Sequence, residues 1–323
     1  DTNIDLSFRK EIKINFKNRS QLNNIINFLI PYSIPKSFIE NFTNLKNNIE
    51  KDFPFNVSKI YTESSIWQED TLRFWSAINK FKGSKINFFQ HGGAYTEKIN
   101  GQVDLEYFLS DNHIIFAKKN KKKEIQYTDK VFLRNKNINK PKNNRILFPI
   151  SFVSNFNTDY QHPANTEFNF YYKDVFDFLD NINKEVQKKI TLRLVPNIDK
   201  KNIYLKILKN KYSHLKIETP KKSIKESLKD YNLFIGSINS TTFIESFLSG
   251  ISSIHILSKN TFLPKKCYKN FYDKLKRENI IFENGKSAAI FLNRKINDDK
   301  YWSSNKRKKS NREFIKNIIF KKI

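Results

Sequence analysis

Two short segments hold most of the residues whose type and spacing suit chemistry. The first reads Phe234-Ile235-Gly236-Ser237-Ile238-Asn239-Ser240-Thr241-Thr242-Phe243-Ile244-Glu245. An apolar run ends at a glycine, a polar turn follows, and three successive hydroxyls, Ser240, Thr241 and Thr242, fall where a helix would begin. First-turn amides lack intrahelical partners and sit at the positive end of the helix dipole, so hydroxyls placed there complete a cradle for phosphate. Glu245 lies about one turn further along the same face, where its carboxylate is placed to accept hydrogen bonds from two ribose hydroxyls. Taken singly, Ser240 is an ordinary N-cap and Glu245 an ordinary charge favouring the helix dipole. Together, Gly236, Ser237, Asn239, Ser240, Thr241, Thr242 and Glu245 point to a nucleotide or phosphate site.

The second segment is Phe88-Phe89-Gln90-His91-Gly92-Gly93-Ala94-Tyr95, an apolar strand that runs into a histidine and two glycines. The chain has seven glycines in all, so a pair in succession carries weight. Adjacent glycines let the backbone approach a ligand closely, and a histidine beside them can act as acid, base or hydrogen-bond donor to a developing charge. Gln90, Gly92, Gly93 and Tyr95 are therefore expected to line a substrate cleft, with His91 as a catalytic group; the plainer reading is a tight turn with a surface histidine. Arg193, in Leu192-Arg193-Leu194-Val195-Pro196, puts a charge in an apolar strand and must find an anion, either a phosphate or carboxylate of substrate or a structural ion-pair partner. Of the other histidines, His113 and His255 read as core, His214 as surface and His162 as loop. No cluster of Cys, His and Asp has metal-ligand spacing, so no metal is expected.

These segments need scaffolds that hold them at strand ends. From residue 145 onward, β-rich apolar runs alternate with helical stretches, the pattern of a parallel sheet with crossover helices. Strands are expected at Ile146 to Phe152, Thr191 to Val195, Leu215 to Ile217, Asn232 to Gly236 and Ser253 to Leu257. Helices are expected near Phe168 to Ile182, Lys200 to Lys209, Ser223 to Lys229 and Thr241 to Ser249. Earlier, strands at Lys59 to Thr62 and Lys85 to Gln90 flank a helix at Gln68 to Phe81 whose inner face would use Leu72, Trp75, Ala77 and Ile78. Helices at Ser20 to Leu29 and Lys36 to Ile49 would stop before Pro31 and Pro54. The fold class is thus α/β: a second α/β domain at residues 1–140, a Rossmann-like, nucleotide-binding domain at 145–296, and a basic terminal helix within 297–323 that packs back on the first domain. The polar stretch Arg134 to Asn144 would join them.

Bulk properties narrow the classes. A chain of 323 residues suits two domains. The single Cys267 excludes an internal disulfide and fits a reducing compartment, so the expected place is the cytoplasm. The first residues lack the plan of a signal peptide, and no apolar stretch reaches the roughly 20 residues of a membrane span. The 59 Lys and Arg exceed the 32 Asp and Glu by 27, which suggests a polyanionic partner, although Lys, Asn, Ile and Phe are enriched together as AT-rich coding would give. Clusters at Lys118 to Lys123, Arg134 to Arg145 and Lys306 to Lys309 fit either a solvated surface or contact with an anionic membrane face. No basic-aromatic module of a nucleic-acid binder is present, so specific nucleic acid is not expected, and that reading rests on charge alone.

With QHGGAY at Gln90 to Tyr95, an acidic stretch ending at Ser110-Asp111, Arg193 ahead of Pro196, and NSTTFIES followed by SGISSI, the chain resembles a family of surface-carbohydrate transferases of GT-B-like fold. That family is distantly similar to bacterial transferases that use CMP-activated Kdo or related nonulosonic acids. The resemblance spans Glu63 to Leu257; the chain is short ahead of QHGG, and Ala94-Tyr95-Thr96 stands where further glycines are expected. It implies two Rossmann-like domains facing a central cleft, residues 1–140 on the acceptor side and a CMP-linked sugar donor held by the second, with no resident cofactor and no obligatory metal. The acceptor would be a surface glycan or a lipid-linked one. A catalytic carboxylate would face the anomeric carbon, with Glu63 first in line, then Asp104 and Glu106. Transfer of a polyol phosphate from a CDP donor is the alternative that keeps the same fold.

Overall fold

The computed structural model describes residues 3–18, 20–93, 97, 99, 101–116, 119, 121–127, 145–151, 167–194, 202–219 and 221–318. Tyr95, His162, Pro196 and the expected join at 134–144 lie outside them. The chain divides into two compact units, Asp1–Asn87 and Phe88–Ile323.

The first unit runs α1 (Leu6–Glu11), α2 (Gln21–Ser33), a 3-10 turn (Lys36–Phe38), α3 (Phe42–Asp52), β1 (Lys59–Thr62), α4 (Ser65–Gln68) and α5 (Asp70–Phe81), and then enters β2 (Lys85–Phe89), inside which the boundary falls. Three expectations change here. Helix α2 does not stop before Pro31 but runs through it to Ser33. The buried Arg9 donates to the carbonyls of Pro31 at 2.7 Å and Ile34 at 2.8 Å and forks onto Glu40 at 2.6 and 2.7 Å. That fork draws Glu40 down to about 2 and fastens the turn where proline removes an N–H. The expected helix at Lys36 to Ile49 is instead the 3-10 turn followed by α3. Helix α5 is rotated from its expected face: Ala77 is exposed, while Phe74 and Asn79 are buried. Phe74 meets Phe42 edge-on at 4.8 Å. Asn79 accepts from the Asn56 amide at 3.1 Å and donates to the Trp75 carbonyl at 2.9 Å, so its burial leaves no polar group stranded.

The second unit opens with the end of β2, then α6 (Gly101–Leu109), β3 (Asn112–Ile115) and β4 (Glu124–Gln126), the last two paired in parallel. A six-stranded sheet follows, built from β5 (Ile146–Ile150), β6 (Ile190–Leu194), β7 (Lys216–Glu218), β8 (Leu233–Gly236), β9 (Ser252–Ile256) and β10 (Ile281–Phe282). Its order is β10-β9-β8-β5-β6-β7, and every pairing is parallel. The connections carry α7 (Phe168–Asn181), α8 (Lys184–Gln187), α9 (Ile203–Lys211), α10 (Ile224–Ser227), α11 (Thr241–Ser249) and α12 (Lys269–Arg277); α13 (Gly285–Lys295), α14 (Asp299–Trp302) and α15 (Asn305–Ile318) follow β10.

Strand β5 shows why both faces are covered. Ile146, Phe148 and Ile150 point into one apolar cluster with α7 and α13, and the alternate residue Leu147 points into another with Tyr231 and Phe234. Each such side chain contributes about 1.5–3 kcal/mol on burial. Helix α13 lies so close on α7 that a Cβ at Gly285 would meet the Asp174 carbonyl oxygen at 1.8 Å. Helix α15, expected against the first domain, buries Phe314 and Ile315 among Phe243, Phe247 and Tyr272 of its own unit. Arg307, counted above in a basic surface cluster, is 5 % exposed and donates to the Ser253 carbonyl at 2.7 Å and to those of Glu278 and Asn279 at 3.1 Å.

His113 of β3 and His255 of β9 are both fully buried, as their apolar contexts imply. Burial holds His113 down to about 4 and His255 to about 3, so the folded chain keeps them neutral where the unfolded chain protonates them. Stability is therefore expected to fall as pH is lowered from about 6.5 toward 4. Urea midpoints across that range should drop steadily, and His113→Gln should make the slope shallower by about one proton.

Candidate functional site

In chain order, the strands of the large sheet take the spatial sequence 3-2-1-4-5-6, so crossovers leave in opposite directions from β5 and from β8. Between the carboxyl ends of those two strands an open α/β sheet leaves a crevice, because no crossover covers it. A cavity of about 210 Å³ lies there, lined by Pro149, Ile150 and Ser151 after β5, by Arg193 and Leu194 of β6, by Gly236, Ser237, Ile238, Ser240 and Thr242 after β8, and by Ile224 and Phe234.

The floor is tied across the switch point by a buried tyrosine. Tyr171 of α7 accepts from the Ser151 amide at 2.9 Å and shares a hydrogen bond with the Ser237 hydroxyl at 3.0 Å. Next to it, the Tyr172 hydroxyl donates to the Ser151 carbonyl at 3.0 Å. Burial pushes the Tyr171 phenol up, so it stays neutral and serves as a hydrogen-bonded strut. Sequence reasoning had no access to this residue, since its partners lie 20 and 66 positions away.

Above the floor stands the N-terminus of α11. Ser240 is in extended conformation, but its side chain does not cap the helix; it pairs with the Thr242 hydroxyl at 2.9 Å. First-turn amides are thus left uncapped by side chains beside two hydroxyls, the arrangement that suits an anion. The helix ends at Gly250, whose φ of +73° is the left-handed cap that lets the chain turn into β9. Gly236 is glycine for a packing reason, because a Cβ would sit 2.3 Å from Nδ1 of His255. Asn239 points inward and donates to the Tyr272 hydroxyl at 3.0 Å.

Two charges bear on this region: Arg193 lines the cavity, and Glu245 lies one turn into α11, outside the cavity's lining residues. Arg193 is 7 % exposed and donates to the Ser227 hydroxyl and the Lys222 carbonyl, both neutral acceptors. No carboxylate of the described residues forms an ion pair with it, and burial lowers its proton affinity, with Glu218, Tyr231 and Glu245 supporting the charge from further away. Glu245, half-buried one turn into α11, is raised by desolvation and pulled the other way by Lys225 and Arg193. A buried guanidinium without a counter-ion is costly unless an anion arrives to meet it.

The Gln90 to Gly93 turn comes to the same helix. The Gly93 amide donates to Oγ1 of Thr241 at 2.9 Å, which joins the two glycine segments picked out in the sequence. Gln90, buried, fixes the turn by donating to the Gly92 carbonyl at 2.9 Å and accepting from the Phe116 amide at 2.8 Å. Gly92 has φ +73°, and a Cβ on it would lie 2.6 Å from Thr241 Oγ1; a Cβ on Gly93 would lie 3.0 Å from the Thr241 Cα. Thr241 is therefore occupied in clasping this turn, while Ser240 and Thr242 line the cavity. His91 is exposed on the turn.

The three carboxylates differ. Glu63 is exposed just past β1 in the first unit. Asp104 is exposed and paired with Lys121 at 3.0 Å, with Lys265 at 3.9 Å. Glu106 is fully buried, accepting from Gln102 at 3.0 Å with His113 at 3.9 Å. Among the described residues, no group of three or more His, Cys, Asp or Glu is placed to hold a metal ion, and no helix is long and apolar enough to cross a membrane.

If the clasp sets the turn, Gly92→Ala should destabilise the fold by about 1–3 kcal/mol through strain at positive φ and the clash with Thr241. Thr241→Val, which leaves the Gly93 amide without its acceptor, should cost about 1 kcal/mol. Chemical denaturation of both variants checks this; two unchanged midpoints would show that the turn is not held by α11.

No curated protein sequence matches the chain. Among solved structures, the spinosyn rhamnosyltransferase SpnG complexed with spinosyn aglycone aligns with TM-score 0.46 and 9 % identity over 86 % of this chain and 74 % of that one. The spinosyn forosaminyltransferase SpnP gives 0.44 and 7 % over 83 % and 75 %, and the wall teichoic acid polymerase TagF 0.35 and 14 % over 75 % and 64 %. Likenesses this loose carry no argument. The sequence family does, because the model described as LIC12162 family transferase matches residues 1–321, almost the whole chain. The chain belongs to the LIC12162 family of transferases.

Proposed function

We propose that this transferase is a nucleotide-sugar-dependent glycosyltransferase whose donor nucleotide occupies the crevice between β5 and β8. One observation carries the reading: the buried guanidinium of Arg193, without a carboxylate partner among the described residues, lines the same cavity as the uncapped N-terminus of α11. A nucleotide phosphate supplies the missing charge, with Ser240, Thr242 and the first-turn amides as its other ligands. Glu245, one turn on, takes the ribose hydroxyls. Its raised proton affinity fits a carboxylate that awaits donors.

In the transfer itself, the bond from the anomeric carbon to the nucleotide phosphate breaks and a bond to an acceptor oxygen forms. The growing negative charge on the leaving phosphate is met by Arg193 and the helix terminus, which need not reorganise as it develops. This chemistry asks for no resident cofactor or metal. His91, held out on the clasped turn, is the acid–base candidate of the second unit. Glu63, just past the end of β1, is the first candidate among the carboxylates for nucleophile or base, with Asp104 and Glu106 after it. The surface-carbohydrate transferases that QHGG and NSTTF-x-E resemble are distantly similar to transferases of CMP-activated acidic sugars, which supports Kdo or a related nonulosonic acid as the sugar and CMP as its carrier. A surface glycan or lipid-linked acceptor, reached from the cytoplasmic face of an anionic membrane, completes the proposal.

The test is thermal. CMP should raise the melting temperature of the full chain, more than UMP or TMP do. Glu245→Ala should abolish the shift while leaving a cooperative transition. Glu245→Gln should melt about 1–3 °C above the parent at neutral pH, because a group whose proton affinity is raised by folding withholds stability above its folded pKa. Equal stabilisation of parent and Glu245→Ala by every nucleotide would sink the reading.

A further inference from the structure

Behind Arg193, a second cavity of about 230 Å³ is lined by Arg145, Arg193, Glu218, Thr219, Lys221, Lys222, Ser227, Asp230 and Tyr231. The cations lining it are Arg145, Arg193, Lys221 and Lys222, and the anions are Glu218 and Asp230. Both carboxylates are engaged. Asp230 lies 3.6 Å from Lys222, and Glu218 accepts from the Tyr231 hydroxyl at 3.3 Å and lies 4.0 Å from Lys216. Arg145, Arg193 and Lys221 are left without an ion-pair partner among the described residues. The two arginines are not equivalent to a solvated basic surface. Arg145 is half-buried, stacks on Tyr231 at 4.7 Å from the ring centre and donates to its hydroxyl at 3.4 Å; Tyr231 itself is 3 % exposed. Stacking fixes the guanidinium fork before any ligand arrives, so little freedom is lost when it closes on an oxyanion.

We propose that this cavity is a second anion site, for a phosphate group either free or carried as a monoester on a small molecule. Arg145 and Lys221 bind it from one side, and the buried Arg193 completes the charge. Since Arg193 lines both cavities, an anion here alters how that guanidinium meets a ligand in the crevice between β5 and β8. The two sites are coupled through one side chain, and the coupling is reciprocal. The second site does not depend on the crevice holding a nucleotide.

Calorimetric titration of the full chain with inorganic phosphate and with glycerol 3-phosphate, in chloride at constant ionic strength, tests it. Saturable binding is expected for at least one of them. Arg145→Gln and the exposed-residue variant Lys221→Gln should each weaken it about tenfold, which corresponds to about 1.4 kcal/mol. Tighter binding of glycerol 3-phosphate identifies a monoester as the ligand, and equal binding identifies the free ion. CMP binding measured without phosphate should change less than about twofold in Lys221→Gln, a difference below 0.5 kcal/mol. Absence of saturable binding, binding unchanged in both variants, or loss of CMP binding in Lys221→Gln each overturns the proposal, the last by making the cavity part of the nucleotide site. Failure here with an intact CMP response leaves the nucleotide reading standing.

Discussion

A parallel sheet forces every return of the chain over a helix, and when the crossovers run both ways from the middle, one gap cannot be covered. In this chain that gap lies between β5 and β8, and the features that suggest function gather at its edge. Phe148 and its neighbours fill the layers that hold the strands, and Tyr171 ties their carboxyl ends by bonding to both Ser151 and Ser237. The turn after β8 delivers the start of α11, where Ser240 and Thr242 line the cavity.

The energetics of that edge are unequal. Apolar layers need only burial, and Asn79 or Gln90 are buried with their amides satisfied. Arg193 is different, because among the described residues its bonds reach only neutral oxygens. A fold that keeps such a charge gives up stability that a ligand restores. Glu245 shows the same imbalance with the opposite sign, its carboxylate desolvated on the first turns of α11. The proposed donor, which carries phosphate and hydroxyl groups, would answer both.

Much of the second unit was legible from sequence, and the reasons are local. Gly236, the hydroxyl triplet and Gly250 bracket α11, so its expected span of Thr241 to Ser249 matches the structure, and the five expected strands fall within two residues of those found. Strand β10 was missed because two residues, Ile281 and Phe282, carry no periodicity. Helix α5 was turned the wrong way because counting apolar residues overlooks a buried Asn79 whose amide is satisfied by Asn56 and Trp75. Proline at 31 read as a stop because the Arg9 clamp that supports it comes from another helix. At the site, residue types were readable but division of labour was not. Thr241 was read as a third phosphate ligand; its hydroxyl also accepts from the Gly93 amide, and no pattern within either segment announces a bond across 148 positions. Tyr171 was invisible for the same reason.

The central claim, that a nucleotide phosphate closes on Arg193 at the start of α11, is tested most directly by a crystal structure of the full chain with CMP bound. The account predicts phosphate oxygens within hydrogen-bond reach, about 2.7–3.2 Å, of the Arg193 guanidinium and of the Ser240 or Thr242 hydroxyls, with the ribose over Glu245. CMP ordered elsewhere on the chain, with no phosphate on Arg193 and its bonds to Ser227 and Lys222 unchanged, would contradict it.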